Sequence, residues 1–189
     1  AGRRVVWRCG WNAPGLGCQG FDLCSAGVIV PMINFAERAR ALVKAAKYPS
    51  LGQRSWGGYA MVQASGKSAA DYLKEANRDT LVFAMIETQE ALDAVEEIAA
   101  VPGLDGLFVG PSDLSIALSN GAELNRLSAA NLVAMKKIVA VAKKHKLVAG
   151  AFAGTPEIIS TYSDMGYTFL VAVTDNDVLK LGVQAALKL

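Results

Sequence analysis

Short runs of apolar, β-branched residues alternate with longer amphipathic stretches from residue 27 onward, and no other feature constrains the fold as strongly. The runs are typical of strands and the amphipathic stretches of helices, so the pattern indicates successive βα units. The predicted strands are Gly27–Met32, Leu81–Glu87, Gly106–Gly110, Leu147–Phe152 and Phe169–Val173, with a further candidate at Arg4–Cys9. Most runs are nearly continuously apolar, which indicates parallel strands of an α/β fold. An open sheet covered by helices and a closed barrel both fit this pattern.

Residues typical of helix caps separate the runs. The predicted helices are Phe35–Lys47 after the cap Asn34, a segment through Ala100 after Thr88, a long helix to about His145 after Ser128, a helix after Thr155 and Pro156, and a last helix from near Asp175. Pro49–Lys67 is predicted to be a long loop before a short helix near Ser68–Asn77. Gly10–Ser25 contains several glycines, each costing roughly 1 kcal/mol in a helix interior, so no regular helix is expected there.

Composition excludes several classes of protein. With 189 residues, 52% of them hydrophobic and 19% charged, the chain is expected to bury a sizeable core rather than to be disordered. Its apolar runs are shorter than the roughly 18 to 20 residues of a membrane span, and no secretion signal is evident, so no membrane association is expected. The net charge is +2 and the basic residues are spread along the chain, which argues against nucleic-acid binding.

The cysteines and the histidine do not form a recognisable metal motif. Cys9, Cys18 and Cys24 contain no CxxC pair, and His145 lies far downstream, so a Cys/His zinc site is not predicted. A reducing, cytoplasmic setting is expected. His145 precedes a predicted strand, which places it at the amino-terminal face of the sheet, as a solvated helix end.

Two carboxylates follow predicted strands that are neighbours in the chain. Glu87 ends one apolar run, and Asp113 follows the next in the turn Gly110-Pro111-Ser112-Asp113. The carboxyl ends of parallel strands carry the functional residues in such folds. Paired carboxylates at this edge suit Mg²⁺ or Mn²⁺, although both residues could simply cap the helices that follow them. Arg8 ends the first candidate strand at the same edge, where it would clamp a carboxylate or phosphate, or form an ordinary ion pair. The role of Arg54, in the long loop, is left open.

Five segments in sequence order resemble the HpcH/HpaI aldolase (citrate lyase) family. They are Arg8-Cys9-Gly10-Trp11-Asn12, Val30-Pro31-Met32-Ile33-Asn34, Tyr48-Pro49 with Gly52-Gln53-Arg54, Met85-Ile86-Glu87-Thr88, and the run from Gly106 through Gly110-Pro111-Ser112-Asp113 to Ser115. Within the family, the chain is most similar to the 4-hydroxy-2-oxoheptanedioate and 2-dehydro-3-deoxyglucarate aldolases. The resemblance covers nearly the whole chain from residue 27.

The resemblance implies a (β/α)₈ TIM barrel. A full barrel takes about 250 residues, and this chain offers about six of the eight βα units. Residues 1–189 are therefore expected to form a single, N-terminally truncated barrel domain with an irregular segment at 1–26. In the family, the two missing units supply an Asp and the His that serves in the acid/base step, and no substitute base is found in the sequence.

The resemblance also implies a carbon-carbon lyase: a class II aldolase that depends on a divalent metal, Mg²⁺ or Mn²⁺, and reversibly cleaves a 4-hydroxy-2-oxo acid to pyruvate and an aldehyde. Glu87 and Asp113 match the metal ligands, and the metal would stabilise the enolate of pyruvate. Arg8 matches the catalytic arginine that steadies the pyruvyl oxygens, and the turn of Gly110, Pro111 and Ser112 would hold the substrate carboxylate. A homo-oligomer is expected.

Three alternatives stay open alongside this interpretation. The chain is an inactive form of such an aldolase, a non-catalytic barrel fragment that serves as a structural or interaction subunit, or an acyl-thioester lyase of the citramalyl or malyl type. The turn at Gly110 and the Tyr48-Pro49 loop favour the pyruvate aldolases over the thioester lyases.

Overall fold

The computed structural model describes residues 5–10, 20–22 and 25–187. Within these residues, six parallel strands form one sheet in sequence order, namely β1 (Val6–Arg8), β2 (Gly27–Val30), β3 (Leu81–Ile86), β4 (Gly106–Val109), β5 (Val148–Phe152) and β6 (Phe169–Val171). The predicted strands are confirmed, with ends that differ by one or two residues. For the candidate at Arg4–Cys9, the structure has a strand at Val6–Arg8, and Arg4 lies outside the described residues.

The sheet curls towards a barrel. The rings of Phe83 on β3 and Phe169 on β6 have centroids 5.3 Å apart, although two strands separate β3 from β6 in the sheet. In the part of the chain that the structure describes, β1 and β6 remain the edges of the sheet and do not pair with each other. The expectation of an incomplete α/β barrel with about six βα units is therefore confirmed.

The two faces of the sheet bury different sets of side chains, because successive residues of a strand point to opposite faces. The outer face packs against helices through fully buried residues that include Val28, Val82, Ile86 and Leu107. The inner face forms a separate cluster built on Ile29, Phe83, Met85 and Phe108.

Two glycines make room for the aromatic rings on the inner face, which we call the aromatic floor (Phe83, Phe108 and Phe169). A Cβ atom at Gly106 would collide with the ring of Phe83, and one at Gly150 would lie 2.8 Å from Cδ2 of Phe108. The rings of Phe108 and Phe169 meet edge to face with centroids 5.8 Å apart. Small residues on β4 and β5 thus allow large residues to fill the interior.

Helices pack on the outer face of the sheet, but the last of them, Asp175–Leu187, buries none of its residues. They are α1 (Ala36–Ala46), α2 (Tyr59–Ser65), α3 (Ala69–Asp79), α4 (Gln89–Asp93), α5 (Val95–Ala99), α6 (Pro111–Leu118), α7 (Ala129–Lys144), α8 (Pro156–Met165) and α9 (Asp175–Leu187). The predicted caps Thr88, Ser128 and Thr155 are confirmed, since each side chain accepts a hydrogen bond from the backbone N–H three residues later. Among the described residues, no helix is long and apolar enough to cross a membrane.

The structure corrects three of the predicted helix and loop assignments. Asn34 does not cap α1, because Phe35 takes the cap position with extended backbone and the Asn34 Oδ1 atom accepts the Thr88 hydroxyl at 3.0 Å. The predicted loop Pro49–Lys67 contains α2. The single helix expected up to Ala100 is two helices, α4 and α5, joined at Ala94. Of Gly10–Ser25, residues 11–19 and 23–24 lie outside the described residues, and residues 20–22 are helical.

A buried lysine joins several elements at the amino-terminal end of the sheet. Lys47, 1% exposed, follows α1 and donates hydrogen bonds to the carbonyl oxygens of Asn77 and Thr80 and to Asp105 Oδ2 at 2.7 Å. Asp105 Oδ2 also accepts the backbone N–H of Val82 at 2.8 Å. Burial raises the pKa of Asp105, while Lys47 and the Val82 amide act in the opposite direction. This network fixes the beginnings of β3 and β4 relative to α1.

Candidate functional site

A cavity of about 330 Å³ opens at the carboxyl ends of the strands. Both edge strands contribute to it, as the curl of the sheet requires. Its lining consists of Val6, Arg8, Ile29, Met85, Phe108, Gly110, Pro111, Ser112, Asp113, Phe152, Phe169 and Val171. The aromatic floor closes the cavity on the inside, and polar residues lie at its mouth, which is the usual arrangement of a small-molecule site.

Glu87 lies directly after β3 and is 4% exposed. Its Oε1 atom accepts a hydrogen bond of 2.8 Å from the backbone N–H of Met32, a residue whose positive φ of 58° departs from the extended conformation of β2. A Cβ atom at Gly110 would lie 2.8 Å from Glu87 Oε2. Glycine at this position therefore leaves the space that the carboxylate needs.

The environment of Glu87 is unfavourable for a negative charge. Burial raises the pKa of Glu87, and the charge of Asp113 raises it further, while the Met32 amide and the charge of Arg8 lower it. A cation bound beside Glu87 would offset this cost. The residues present thus fit a divalent metal, because a buried carboxylate and a second acidic group are close enough to interact electrostatically.

Asp113 lies in the first turn of α6 and is exposed. The turn before it is held in place by two hydrogen bonds to its carbonyl groups. Ser115 Oγ donates to the Ser112 carbonyl at 2.8 Å, and Asn131 Nδ2 donates to the Pro111 carbonyl at 3.1 Å. These bonds orient the turn so that its residues and Asp113 face the cavity together.

Arg8 ends β1, is exposed, and lines the same cavity. Within the described residues, no carboxylate forms an ion pair with its guanidinium, so the ordinary ion-pair interpretation finds no support there. Five of the site residues predicted from the sequence line this cavity: Arg8, Gly110, Pro111, Ser112 and Asp113. The sixth, Glu87, lies beside the lining residue Gly110 and within electrostatic range of Arg8 and Asp113. Their roles in binding and catalysis stay predictions.

The structure places His145 and Arg54 away from this cavity. His145 follows α7 just before β5, at the amino-terminal end of the sheet as expected, but it is half-buried rather than fully solvated, with Nε2 3.2 Å from Glu96 Oε1. Arg54 is buried, pairs with Asp22 at 3.0 Å, and stacks on the ring of Phe21. Arg54 therefore stabilises the packing of its loop.

A second cavity, of about 300 Å³, lies near Ala26 and Thr80, which precede β2 and β3. It is at the opposite end of the sheet. The charged groups that line it already pair with one another, since Lys67 bridges Glu75 and Asp79. The cavity at the carboxyl ends is therefore the better candidate for a binding site.

Sequence reasoning missed Arg126, which lies beside the cavity in the loop after α6. Its Nη1 atom donates to the Ala153 carbonyl at 2.8 Å, and its guanidinium lies 5.8 Å from the ring centroid of Phe152. The Arg126 carbonyl accepts hydrogen bonds from Asn131 Nδ2 at 2.9 Å and from the Tyr162 hydroxyl at 3.2 Å. No local motif marks this arginine, since its partners lie 5 to 36 positions away.

The Tyr162 hydroxyl gives this loop a measurable pH dependence. Burial raises the pKa of Tyr162 to about 12 from 10.0, so the folded state resists ionisation that the unfolded chain permits. This contribution to the free energy of unfolding is fully present below pH 10 and is lost as the pH rises towards 12. It amounts to about 3 kcal/mol. We expect Tyr162→Phe to lack this part of the alkaline loss in urea titrations between pH 9 and 12. Tyr59→Phe, at an exposed tyrosine, is the control, and parallel curves for wild type and Tyr162→Phe would contradict the expectation.

Within the described residues, no group of three or more His, Cys, Asp or Glu side chains is arranged to hold a metal ion. A cation at Glu87 and Asp113 would therefore take its other ligands from water or from a bound molecule. Mg²⁺ is commonly bound in this way, through one or two carboxylates together with substrate oxygens.

Comparisons with known proteins agree with this geometry. A family model described as HpcH/HpaI aldolase/citrate lyase matches residues 3–178. A 2-dehydro-3,6-dideoxy-6-sulfogluconate aldolase of Pseudomonas putida is 36% identical over 177 residues, which are 92% of this chain and 67% of that protein. A 4-hydroxy-2-oxo-heptane-1,7-dioate aldolase of Klebsiella pneumoniae is 31% identical over 95% of this chain and 67% of its own length.

The crystal structure of an HpcH/HpaI aldolase from Desulfitobacterium hafniense superposes on this chain with a TM-score of 0.85 and 25% identity, covering 98% of this chain and 71% of that one. The chain spans between 57% and 68% of the length of the curated relatives that it matches.

Proposed function

Because the chain belongs to the HpcH/HpaI aldolase/citrate lyase family, we propose that its cavity is the pyruvate-binding site of a class II, metal-dependent aldolase. The reaction would be the reversible cleavage of a 4-hydroxy-2-oxo acid to pyruvate and an aldehyde. The observation that carries the proposal is the convergence of three charged groups at the carboxyl ends of β1, β3 and β4. Arg8 and Asp113 line the cavity, and Glu87 lies beside it, within electrostatic range of both.

Glu87 and Asp113 would hold the divalent cation, Mg²⁺ or Mn²⁺. The buried Glu87 carboxylate, whose pKa is raised, gains most from a neighbouring positive charge. When bound, the cation would act as a Lewis acid for the negative charge that develops on the keto oxygen of the substrate. The Met32 amide holds the Glu87 carboxylate in place by a hydrogen bond to Oε1 and leaves Oε2 on the side of Gly110.

Arg8 and the turn before Asp113 would bind the pyruvyl group. The Arg8 guanidinium offers paired N–H donors that match a carboxylate. Backbone N–H groups at the start of α6, near Ser112, lie at the positive end of the helix dipole and would hold the carboxylate from the other side. The aromatic floor keeps water from the apolar side of the substrate, which strengthens these interactions.

The proposal excludes His145 as the proton-transfer group. This residue is the one histidine of the chain, and it lies at the opposite end of the sheet from the cavity. Its partner is Glu96 on α5, and it is not among the described residues that line the cavity. A homo-oligomeric assembly and a cytoplasmic setting stay predictions.

The names of two relatives bear on the aldehyde half of the proposed substrate. The Klebsiella protein is named for a dicarboxylate and the Pseudomonas protein for a sulfonate, so both names describe a substrate with a second acidic group. We propose that the present chain shares the pyruvyl half of such substrates.

Thermal unfolding in the presence of Mg²⁺ or Mn²⁺, pyruvate, and both together tests the proposed function. At a ligand concentration of 100 times Kd, binding stabilises the folded state by about 2.7 kcal/mol, which corresponds to a rise in Tm of about 5–10 °C for a chain of this size. We expect that rise only with metal and pyruvate together. Asp113→Ala should remove it, and His145→Ala should keep it. If the Tm changes with neither metal nor pyruvate, the result would favour the alternative that the chain is a non-catalytic barrel fragment.

A further inference from the structure

Arg126 has hydrogen-bonding capacity that the protein does not use. An arginine side chain carries five N–H donors in a planar fork. In the part of the chain that the structure describes, the guanidinium makes one hydrogen bond, from Nη1 to the Ala153 carbonyl, and no carboxylate pairs with it. A half-buried cation without a counter-ion is unusual, because its desolvation is not offset by pairing.

Hydrogen bonds hold the backbone of Arg126 in place and thereby limit where its guanidinium can lie. Its backbone carbonyl is bound by two side chains that are fully buried, those of Asn131 and Tyr162. Gly154, with φ of +79°, follows Ala153, and a Cβ atom there would lie 3.1 Å from Nη1 of Arg126. Glycine at position 154 thus allows the guanidinium to approach the end of β5.

Arg126 is adjacent to the cavity. The ring over which it lies belongs to Phe152, which lines the cavity from β5. Asn131 binds the carbonyls of both Arg126 and Pro111, so the arginine loop is tied to the turn that presents Asp113. Arg8, the arginine that lines the cavity, lies on β1 in the other half of the sheet. Two arginines therefore flank the site from different sides.

We propose that Arg126 is a specificity-determining residue that binds an anionic group at the far end of the aldehyde half of the substrate. This inference rests on the proposed function, in which Arg8 and the metal ligands bind the pyruvyl end. With one cation for each end, the site would select 2-oxo acids that carry a second negative charge over those with an uncharged tail. The free N–H groups of Arg126 are suited to a carboxylate, and equally to the oxygens of a sulfonate.

Two non-cleavable ligands of the same chain length test this role. 2-Oxoheptanedioate and 2-oxoheptanoate both lack the 4-hydroxyl group, and they differ in the distal carboxylate alone. Calorimetric titration with Mg²⁺ present should give a Kd for the dioate at least 10-fold lower than for the monoanion. In Arg126→Met the Kd for the dioate should rise by about 10- to 100-fold, because hydrogen bonds to charged groups contribute about 1.5–3 kcal/mol, while the Kd for 2-oxoheptanoate should not change.

Two further variants make the test specific. Arg38→Met removes the same charge from an exposed arginine on α1 and should leave both Kd values unchanged. Arg126→Lys keeps the positive charge but loses the planar guanidinium with its paired N–H donors. It should weaken binding of the dioate less than Arg126→Met does. Unfolding curves without ligand show whether each variant is folded.

The outcomes separate the two proposals. Equal Kd values for the two ligands in the wild type, or an equal loss of both in Arg126→Met, would overturn the role of Arg126 and leave the pyruvyl site intact. If neither ligand binds to the wild-type protein in the presence of Mg²⁺, the proposed function fails and the role of Arg126 fails with it. A selective loss of dioate binding in Arg126→Met is the result that supports the inference.

Discussion

Replacement of Glu87 with glutamine is expected to abolish the rise in Tm that Mg²⁺ and pyruvate produce together. Glutamine keeps the size of the side chain and an oxygen to accept the Met32 N–H, but it removes the negative charge that would hold the cation. Without added metal, the same variant should be more stable than the wild type, because burial makes the charged Glu87 side chain costly. Thermal and urea unfolding with and without the two ligands measure both effects.

The control for this variant is Glu90→Gln, which removes a carboxylate from an exposed position on α4 three residues later. It should retain the full response to metal and pyruvate. If Glu87→Gln also kept that response, Glu87 would not be a metal ligand. A variant that gains stability while losing ligand response would show that the residue is kept for binding at a cost to folding.

Replacement of Lys47 with methionine is expected to lower the free energy of unfolding by about 3–5 kcal/mol, the range measured when one partner of a buried ion pair is removed. Methionine preserves most of the volume of the lysine side chain. It leaves Asp105 and the carbonyls of Asn77 and Thr80 without the ammonium group that binds all three. Urea denaturation at neutral pH, followed by circular dichroism, measures the change.

Lys44→Met is the matched control for this effect, since Lys44 lies in the last turn of α1, three residues before Lys47, and is exposed. Its replacement should change the unfolding free energy by less than about 0.5 kcal/mol. A loss below about 1 kcal/mol for Lys47→Met would mean that water reaches Asp105 and replaces the ammonium group, and that the network contributes little to stability.

The sequence predicts the strands and the cavity mouth well because both depend on local patterns. Runs such as Leu81–Ile86 are apolar on both faces, which is typical of parallel strands whose two faces are both buried. Glu87 and Asp113 each follow a predicted strand, and parallel strands all end at the same edge of a sheet. Once the strands are located, both residues are therefore expected at the carboxyl edge. The predicted cap Thr88 succeeds for the same reason, since its partner is three residues away.

Features that depend on distant partners could not be predicted in this way. In the sequence, Lys47 has the pattern of an exposed residue at the end of an amphipathic helix. In the structure, its ammonium group binds residues that lie 30 to 58 positions away. Asparagine is a residue type that often caps helices, but the side-chain oxygen of Asn34 accepts a hydrogen bond from the Thr88 hydroxyl instead. Arg126 is one basic residue in a polar loop, and only the fold places it beside Phe152.

The depth of the cavity and the charged groups at its mouth depend on different residues, because the aromatic floor sets the depth alone. Each ring occupies space that a glycine on a neighbouring strand leaves free, as Phe83 does beside Gly106 and Phe108 beside Gly150. None of these residues carries a charge or belongs to the turn that presents Asp113. Exchanging a ring for a smaller side chain would lengthen the space available to a substrate without disturbing the groups that bind its reactive end. The architecture therefore allows related proteins to diverge in the length of the molecules they accept while their chemistry stays the same.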